Sequence, residues 1–442
     1  MSGTTIGLVG FACLLGMLAI RVHIAMAMFI TGAGIYLVMN HGETSGLLYT
    51  LNNLVYARVS NYDLAVIPLF ILMGQFATHG GLSKALFKAA GTLIGHWRGG
   101  LAMASTAACA AFGAICGSSL ATAATMGQVA LPELQERGYS GKLSTATLAA
   151  SGTLGILIPP SVPLVIYAVL TQESIGKLFV AAVVPGIIAA LGYLLVIAVI
   201  VRRDPEAGPA GERVPFADMV KAQINIIPVL LVFLLVIVGI YGGWANPTEA
   251  ASIGAAACGL IAAISGGMRG KDFLQSVYGT AHATGMIFMV LIGADLLNSS
   301  LALSQMPTEL ATWVQQSGLP ALLVLFSILV IYILLGCVMD SLAMILLTIP
   351  IFYPMIMGLD FFGMPVEDKS VWFGILALMV VEIGLVHPPV GMNLYVINKL
   401  AKSVPMKDTA WGVMPFLASD FVRITALVFI PGLCLGLVHW LG

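Results

Sequence analysis

Long stretches without a charged residue recur along the chain and predict membrane helices. A helix that crosses the hydrocarbon core of a bilayer needs about 20 apolar residues, so these stretches predict roughly ten to twelve helices. The charge-free runs cover 1–20, 22–42, 64–83, 99–132, 143–172, 178–201, 222–248, 250–268, 273–294 and 310–339.

The composition, together with this pattern, indicates the fold class. Of the 442 residues, 59% are hydrophobic and 9% are charged, whereas soluble domains carry about 25% charged residues. Long apolar runs are typical of membrane helices, while membrane barrels show only a weak alternation of residue types. The sequence therefore predicts an all-α polytopic membrane protein. Its formal net charge of −1 gives no indication of a nucleic-acid partner.

The distribution of Lys and Arg predicts how the helices cross the bilayer. If 99–132 is a re-entrant hairpin that returns to its side of origin, fifteen cations fall on the cytoplasmic side and three on the other. This agrees with the positive-inside rule, and a single crossing by 99–132 would invert everything after it. The three outer cations are Arg58, Lys177 and Lys369, and Arg423 is left unassigned.

Two short motifs occur twice, in the same order, and predict an internal repeat. "GSSLAT" at 117–122 is matched by "MDSLAM" at 339–344, and "GILIPPSVPLVIY" at 155–167 is matched by "GLVHPPVGMNLYV" at 384–396. With hairpins entering from opposite sides, the repeat is inverted, which is a common design of secondary transporters. The polar segment 202–221 lies between the halves and is interpreted as a cytoplasmic linker.

Each half contains a Pro-Pro pair inside an apolar run, and each pair predicts a broken helix. Proline has no backbone N–H, so carbonyls one turn earlier lose their partners. Within a membrane such breaks occur where they are buried or line a cavity. The freed carbonyls, together with hydroxyls at a facing hairpin tip, could hold a desolvated monovalent cation. The predicted breaks lie at Pro159, Pro160, Pro388 and Pro389.

Few ionisable residues lie inside the predicted spans. Asp340, at the position equivalent to Ser118, is interpreted as an ion ligand or a structural anchor, since intramembrane carboxylates are functional candidates. Glu382 could serve function or pair with a Lys or Arg, and Asp295 is read as the end of a helix. His387 could carry a proton or act as a hydrogen-bonding core residue. The six cysteines are scattered and are interpreted as core residues.

Catalytic motifs are missing from the sequence. It contains no H-E-x-x-H, G-x-S-x-G or Walker motif, which argues against a zinc protease, a serine hydrolase or an ATP-driven pump. We therefore expect a protein that is not an enzyme and carries no cofactor.

At this point the motifs resemble a known family. "GSSLATAATMG", "GTLGILIPPSVPLVIYAVLT", "SIGKLFVAAVVPG" and "HPPVGMNLYV" are similar to segments of the large membrane subunit of tripartite ATP-independent periplasmic (TRAP) transporters. The resemblance runs from about residue 60 to the C-terminus. It implies a scaffold, a mobile transport domain with two re-entrant hairpins, and an elevator-type motion.

The resemblance also implies the partners and the cargo. Such subunits work with a small four-helix membrane subunit and a periplasmic substrate-binding protein in the bacterial inner membrane. Uptake is typically driven by Na⁺, and the substrates are organic acids such as C4-dicarboxylates or sialic acids. Since no four-helix segment precedes residue 1, the small subunit is expected to be a separate chain.

Carried onto this sequence, the resemblance predicts two sodium sites and a substrate site between the hairpin tips. The sodium ligands would be Ser118, Ser119 and carbonyls near Gly152 and Gly155 at one site, and Asp340, Ser341 and carbonyls near Gly384 at the other. The substrate residues would be Thr122, Thr153, Ser161 and Asn393.

The same reasoning divides the chain into six segments. They are 1–82, N-terminal scaffold helices; 83–201, a first transport repeat with hairpin 99–132 and broken helix 143–172; 202–222, a linker; 223–309, second-half scaffold helices; 310–408, a second transport repeat with hairpin 310–358 and broken helix 371–398; and 409–442, a C-terminal helix.

Three other readings of the sequence remain open at this stage. The first is a stand-alone ion-coupled anion transporter, driven by Na⁺ or H⁺, that needs no binding protein. The second is an intramembrane enzyme or an assembly scaffold, which would show no dependence on ions. The third is a channel, which would leak continuously.

Overall fold

The structure is a computed structural model that describes residues 2–441, and within that range the chain forms helices and no strand. This confirms the predicted all-α class. Six helices are long and apolar enough to cross a membrane, and up to eight spans result if each of two bent helix pairs is counted as one. The count is lower than the sequence suggested, because several charge-free runs are divided into arms shorter than a span.

The first half of the chain contains eleven α-helices and one short 3-10 helix at Tyr62–Ala65. The α-helices are α1 (Gly3–Ala19), α2 (Ile24–Met39), α3 (Ser45–Val59), α4 (Val66–His79), α5 (Leu82–Ile94), α6 (Gly100–Cys116), α7 (Ser119–Glu136), α8 (Gly141–Gly152), α9 (Leu154–Leu157), α10 (Val162–Thr171) and α11 (Ile175–Arg203).

The second half contains ten further helices. They are α12 (Phe216–Tyr241), α13 (Pro247–Ile264), α14 (Gly270–Leu303), α15 (Met306–Gln316), α16 (Ala321–Gly336), α17 (Ser341–Met357), α18 (Val366–Val386), α19 (Met392–Leu400), α20 (Met406–Phe429) and α21 (Gly432–Leu441).

The same order of elements occurs in both halves. A short helix (α5 or α15) precedes two helices joined by a tight turn (α6–α7 or α16–α17), then a broken helix (α8–α10 or α18–α19), then a long helix (α11 or α20). The first broken helix bends by 41° between its two parts. The halves interlock, because α10 packs against α17 and α19 packs against α7.

A second group of helices packs beside these elements. Helix α14 packs against α2 and α4, and α13 packs against α4. Arg58 on α3 forms two hydrogen bonds with Asp295 on α14. The interpretation of Asp295 as a helix end is wrong, because α14 runs without interruption from Gly270 to Leu303. Arg58 provides the counter-charge of this buried carboxylate.

Three predicted boundaries differ from the structure. The predicted hairpin 310–358 contains the end of the separate helix α15, because Gly318, with φ of 67°, and Pro320 end it before α16 begins. The predicted C-terminal helix is two helices, α20 and α21, with Pro431 between them. The linker is shorter than 202–222, because α11 extends to Arg203 and α12 begins at Phe216.

The linker is tied to the base of the first hairpin. The Gly208 carbonyl accepts a hydrogen bond from Gly99 N at 2.9 Å, and the Ala207 carbonyl accepts one from Ser140 N at 3.0 Å. Nearby, Leu101 N donates to Tyr139 Oη at 3.1 Å. The chain that joins the two halves is therefore fixed where α6 starts and where α8 starts.

Lys369 anchors the second hairpin and gives a first testable prediction. Its ammonium donates to the carbonyls of Met357, at 3.1 Å, and Leu359, at 2.6 Å, at the C-terminal end of α17. Replacing this buried residue in Lys369→Met leaves both carbonyls without a cationic donor. We expect the free energy of unfolding to fall by about 1–3 kcal/mol, measured by denaturant unfolding in detergent.

The matched control for Lys369→Met is Lys177→Met. Lys177 is exposed and lies 4.0 Å from the exposed carboxylate of Glu367, and surface pairs of this kind contribute about 0–1 kcal/mol. An equal effect of the two substitutions would show that the contacts at the end of α17 do not stabilise the hairpin.

Candidate functional site

The first hairpin turns at Gly117 and Ser118. Gly117 has φ of 63°, a left-handed conformation that glycine adopts without steric cost. Ser118 is the N-cap of α7, and its hydroxyl accepts a hydrogen bond from Ala121 N at 3.4 Å. Ser119 is the first residue of α7 and is 2% exposed. The tip is therefore tight, buried and built from uncharged oxygens.

This tip lies directly against the first helix break. A Cβ added to Gly117 would be 3.2 Å from the Pro160 carbonyl oxygen, and one added to Gly155 would be 2.8 Å from the Ser118 carbonyl oxygen. Thr122 Oγ1 borders Gly155 even more closely, and Gly152 lies against Ala123 of α7. The structure therefore brings Ser118, Gly152 and Gly155 together, with Thr122 among them.

The break leaves backbone carbonyls free at this place. In a continuous helix, the carbonyls of Gly155 and Ile156 would accept hydrogen bonds from residues 159 and 160. Both positions are proline and have no N–H to donate. Ile158 is extended, with ψ of 118°, so the helix ends there. Neutral carbonyl oxygens are thus presented beside the hairpin tip.

The second hairpin repeats the design with a carboxylate. Helix α16 ends at Gly336, and Asp340 is the N-cap of α17, accepting a hydrogen bond from Ala343 N at 3.3 Å. Ser118 and Asp340 therefore hold equivalent positions and make equivalent capping bonds. Ser341 follows as the first residue of α17 and is 9% exposed. The Asp340 side chain has a structural role as a helix cap.

The second helix break lies between Val386 and Met392. His387 is extended, with ψ of 125°. A Cβ added to Gly391 would be 3.1 Å from the Leu385 carbonyl oxygen and 3.2 Å from that of His387. His387 Nδ1 contacts the Pro388 carbonyl. It lies 3.9 Å from Sγ of Cys337, the residue that ends α16 in the second hairpin. Carbonyl oxygens therefore crowd the break.

Sequence reasoning missed a contact that occurs in both halves, a crossing of two glycines. Gly113 of α6 meets the backbone of Gly155, and Gly336 of α16 meets that of Gly384, where an added Cβ would be 2.5 Å from the Gly336 Cα. Only glycine allows two helix backbones to approach this closely. Gly113 and Gly336 could have been found by asking which residue precedes each hairpin tip by one turn.

Three predicted substrate residues carry buried oxygens without a hydrogen-bond partner among residues 2–441. These atoms are Thr122 Oγ1, Ser161 Oγ and Asn393 Oδ1, and their residues are 0% exposed. Buried polar groups are normally hydrogen-bonded, so an orphaned oxygen calls for an explanation such as a ligand or an ion. Asn393 also donates from Nδ2 to the Ala149 carbonyl at 3.3 Å, which joins the second broken helix to the first.

The Thr153 hydroxyl points away from the hairpin tip. Its Oγ1 donates to the Ala150 carbonyl at 2.6 Å and lies 3.2 Å from Tyr193 Oη on α11. Gly152 and Gly155 face α7, and Thr153 lies between them in sequence, roughly 100° further round the helix than Gly152. The structure does not bring the Thr153 hydroxyl to the hairpin tip.

Comparison with known proteins decides the family. Residues 11–433 match the family described as "Tripartite ATP-independent periplasmic transporter, DctM component". The C4-dicarboxylate TRAP transporter large permease protein DctM of Pseudomonas aeruginosa is 34% identical over 383 residues, which cover 86% of this chain and 87% of the relative. This chain belongs to the DctM component family of TRAP transporters.

Two other similarities concern a relative named for another substrate and a solved structure. The sialic acid TRAP transporter large permease protein SiaM of Vibrio cholerae is 29% identical over 378 residues, covering 84% of this chain and 85% of the relative. The crystal structure of the Alcanivorax borkumensis YdaH transporter superposes with a TM-score of 0.64 and 16% identity, covering 90% of this chain and 91% of that one. At this identity the superposition shows a shared fold.

Proposed function

We propose that this permease is the translocating subunit of a tripartite transporter that takes up an organic acid with Na⁺. The observation that carries the proposal is the contact between the first hairpin tip and the first helix break, where Gly155 lies against the Ser118 carbonyl oxygen and against Thr122 Oγ1, which has no hydrogen-bond partner among residues 2–441. Unwound backbone carbonyls are what secondary transporters use to coordinate Na⁺.

The chemistry of the oxygens supports a monovalent cation at this place. All the groups at the first tip are neutral hydroxyls and carbonyls, which can replace part of a hydration shell without placing a buried negative charge beside the ion. We propose Ser118, Ser119, Thr122 and the carbonyls near Gly152 and Gly155 as the first sodium site. This proposal assigns Thr122 to the sodium site, whereas the sequence analysis placed it among the substrate residues.

The second site would lie at the other hairpin. Asp340, Ser341 and the carbonyls near Gly384 are proposed as its ligands, with Asp340 capping α17 at the same time. Ser161 and Asn393 would contact the substrate, since each carries a buried oxygen without a partner among the described residues. Thr153 is left out of this set because its hydroxyl is directed at Tyr193.

Membership of the family supports a proposal about the partners and the motion. We propose a small four-helix membrane subunit, a periplasmic binding protein that delivers the substrate, and an inner-membrane location. The relatives are named for C4-dicarboxylate and sialic acid transport, so the proposed cargo is an acid of one of these kinds. The two hairpins and broken helices would move together past α2, α4, α13 and α14 in an elevator-type motion.

Sodium binding can be tested by thermal unfolding of the detergent-purified chain. NaCl is titrated against KCl and choline chloride at matched ionic strength. A ligand that binds only the folded state stabilises it by about 2.7 kcal/mol at a hundred times its dissociation constant. We expect a saturable rise in the unfolding temperature that is specific to Na⁺ and smaller in Ser119→Ala, Asp340→Asn and Thr122→Val.

Two of these variants separate ion binding from folding. Asparagine caps a helix about as well as aspartate, so Asp340→Asn removes the charge and keeps the cap. Thr122→Val removes a buried oxygen that has no hydrogen-bond partner among the described residues, so it should stabilise the chain in choline chloride and weaken its response to Na⁺. Identical curves for the wild-type chain in all three salts would contradict sodium coupling.

A further inference from the structure

Two charged side chains are buried on α20, which packs against α11 and against α8 of the first broken helix. Asp420 and Arg423 lie one turn apart on α20 and are 1% and 4% exposed. Arg423 Nη2 is 2.9 Å from Asp420 Oδ1, and the guanidinium carbon is 5.8 Å from the centre of the Tyr193 ring. A buried ion pair costs free energy unless further hydrogen bonds stabilise it. The contacts that the pair makes with neighbouring helices therefore matter.

A chain of polar contacts leads from this pair to the broken helix. Tyr193 Oη donates to Asp420 Oδ2 at 3.0 Å, so the Tyr193 oxygen is left to accept. Thr153 Oγ1 donates its single hydrogen to the Ala150 carbonyl at 2.6 Å. It also lies 3.2 Å from the Tyr193 oxygen, which can share that hydrogen. The contacts attach Thr153 to α11 and, through Tyr193, to α20.

Helix α20 also packs against α18, the first part of the second broken helix. Glu382 on α18 is 1% exposed and lies two residues before Gly384. Its carboxylate has no hydrogen-bond partner in the described part of the chain. The helix that carries Arg423 is therefore in contact with α8 of the first broken helix and α18 of the second.

The attachment point lies between the two glycines that meet the hairpin. Gly152 and Gly155 contact α7 on one face of the helix, and Thr153 is held from another face by Tyr193. Any shift of Thr153 moves Gly155 relative to the tip, because Thr153 is the N-cap of α9, the short helix that contains Gly155. A hydroxyl that touches neither ion nor substrate can therefore control the geometry of the site.

We propose that Arg423, Asp420 and Tyr193 are positioning residues for the first ion site. They hold the broken helix at Thr153 and so fix where Gly155 meets the hairpin tip. This inference rests on the proposed sodium coupling. Groups that orient the ligands of a metal without touching it typically change its affinity by about 10–100-fold.

The test compares Tyr193→Phe, Thr153→Val and the double variant. Each single change removes one hydroxyl with little change of shape. The unfolding temperature of each full-length chain is measured as NaCl replaces choline chloride. We expect the half-saturating sodium concentration to rise by about tenfold in each single variant. The double variant should show no larger rise, because both substitutions remove the same contact.

Tyr139→Phe is the matched control. Tyr139 is also buried, and its hydroxyl makes one hydrogen bond, to Leu101 N at the base of the same hairpin. It should lower the unfolding temperature equally in both salts and leave the half-saturating concentration unchanged.

Three results would overturn the positioning role, and they differ from one another. If the wild-type chain shows no response to sodium, the proposed function fails and the inference fails with it. If the wild type responds and Tyr193→Phe has the same half-saturating concentration, only the inference fails. If the effects of Tyr193→Phe and Thr153→Val add, the two hydroxyls act independently, which also contradicts it. Either single variant carries the test if the other does not fold.

Discussion

Arg423→Met is expected to lower the free energy of unfolding by about 3–5 kcal/mol, the usual cost of removing one partner from a buried ion pair. Asp420 would lose the guanidinium 2.9 Å away. A buried carboxyl group would then lack its counter-charge. Denaturant unfolding in detergent measures the change.

The result for Arg423→Met is compared with those for two further variants. Arg202→Met, at an exposed position near the end of α11, should change stability by less than about 0.5 kcal/mol. Adding Asp420→Leu to Arg423→Met should recover part of the loss, since apolar replacement of a whole buried pair is often tolerated. An Arg423→Met chain as stable as the wild type would show that the pair does not hold α20 in place.

Gly384→Ala is expected to have the second largest effect. The added Cβ would lie 2.5 Å from the Gly336 Cα, 2.9 Å from the Gly336 carbonyl carbon and 3.2 Å from the Ile333 carbonyl oxygen. All three are backbone atoms, so no side chain can rotate away and the helices must separate. We expect a loss of about 1–3 kcal/mol in the free energy of unfolding and a weaker response to sodium.

Gly285→Ala is the control for this crowding. Gly285 also lies inside a long helix, and a Cβ there would meet nothing within 4 Å. Alanine favours a helix over glycine by about 1 kcal/mol, so this chain should be as stable as the wild type or more so. If Gly384→Ala behaved like Gly285→Ala, the crossing with Gly336 would have no energetic importance.

The sequence predicted the elements whose signals are local. Pro159 and Pro160 cannot continue a helix whatever surrounds them, and the matching pair at Pro388 and Pro389 breaks α18 in the same way. The hairpin tip at Gly117 was also predictable, because glycine followed by serine both ends one helix and caps the next. Short-range steric rules determine these features.

The features that the sequence did not predict depend on contacts between distant segments. Arg58 and Asp295 are 237 residues apart, so a search for charge-free runs does not reveal the pairing that provides a counter-charge for Asp295 within α14. Arg423 could not be placed in the topology because its partner lies inside the protein. Thr153 looked equivalent to its neighbours, and only the position of Tyr193 shows which way its hydroxyl is turned.

The exchange of broken helices between the halves makes each half depend on the other. Helix α10 packs on α17 of the other half, and α19 packs on α7. A half-length polypeptide would leave both an apolar helix and a hairpin arm uncovered. We therefore expect the two halves to be stable only as one cooperative unit, and neither half to fold on its own.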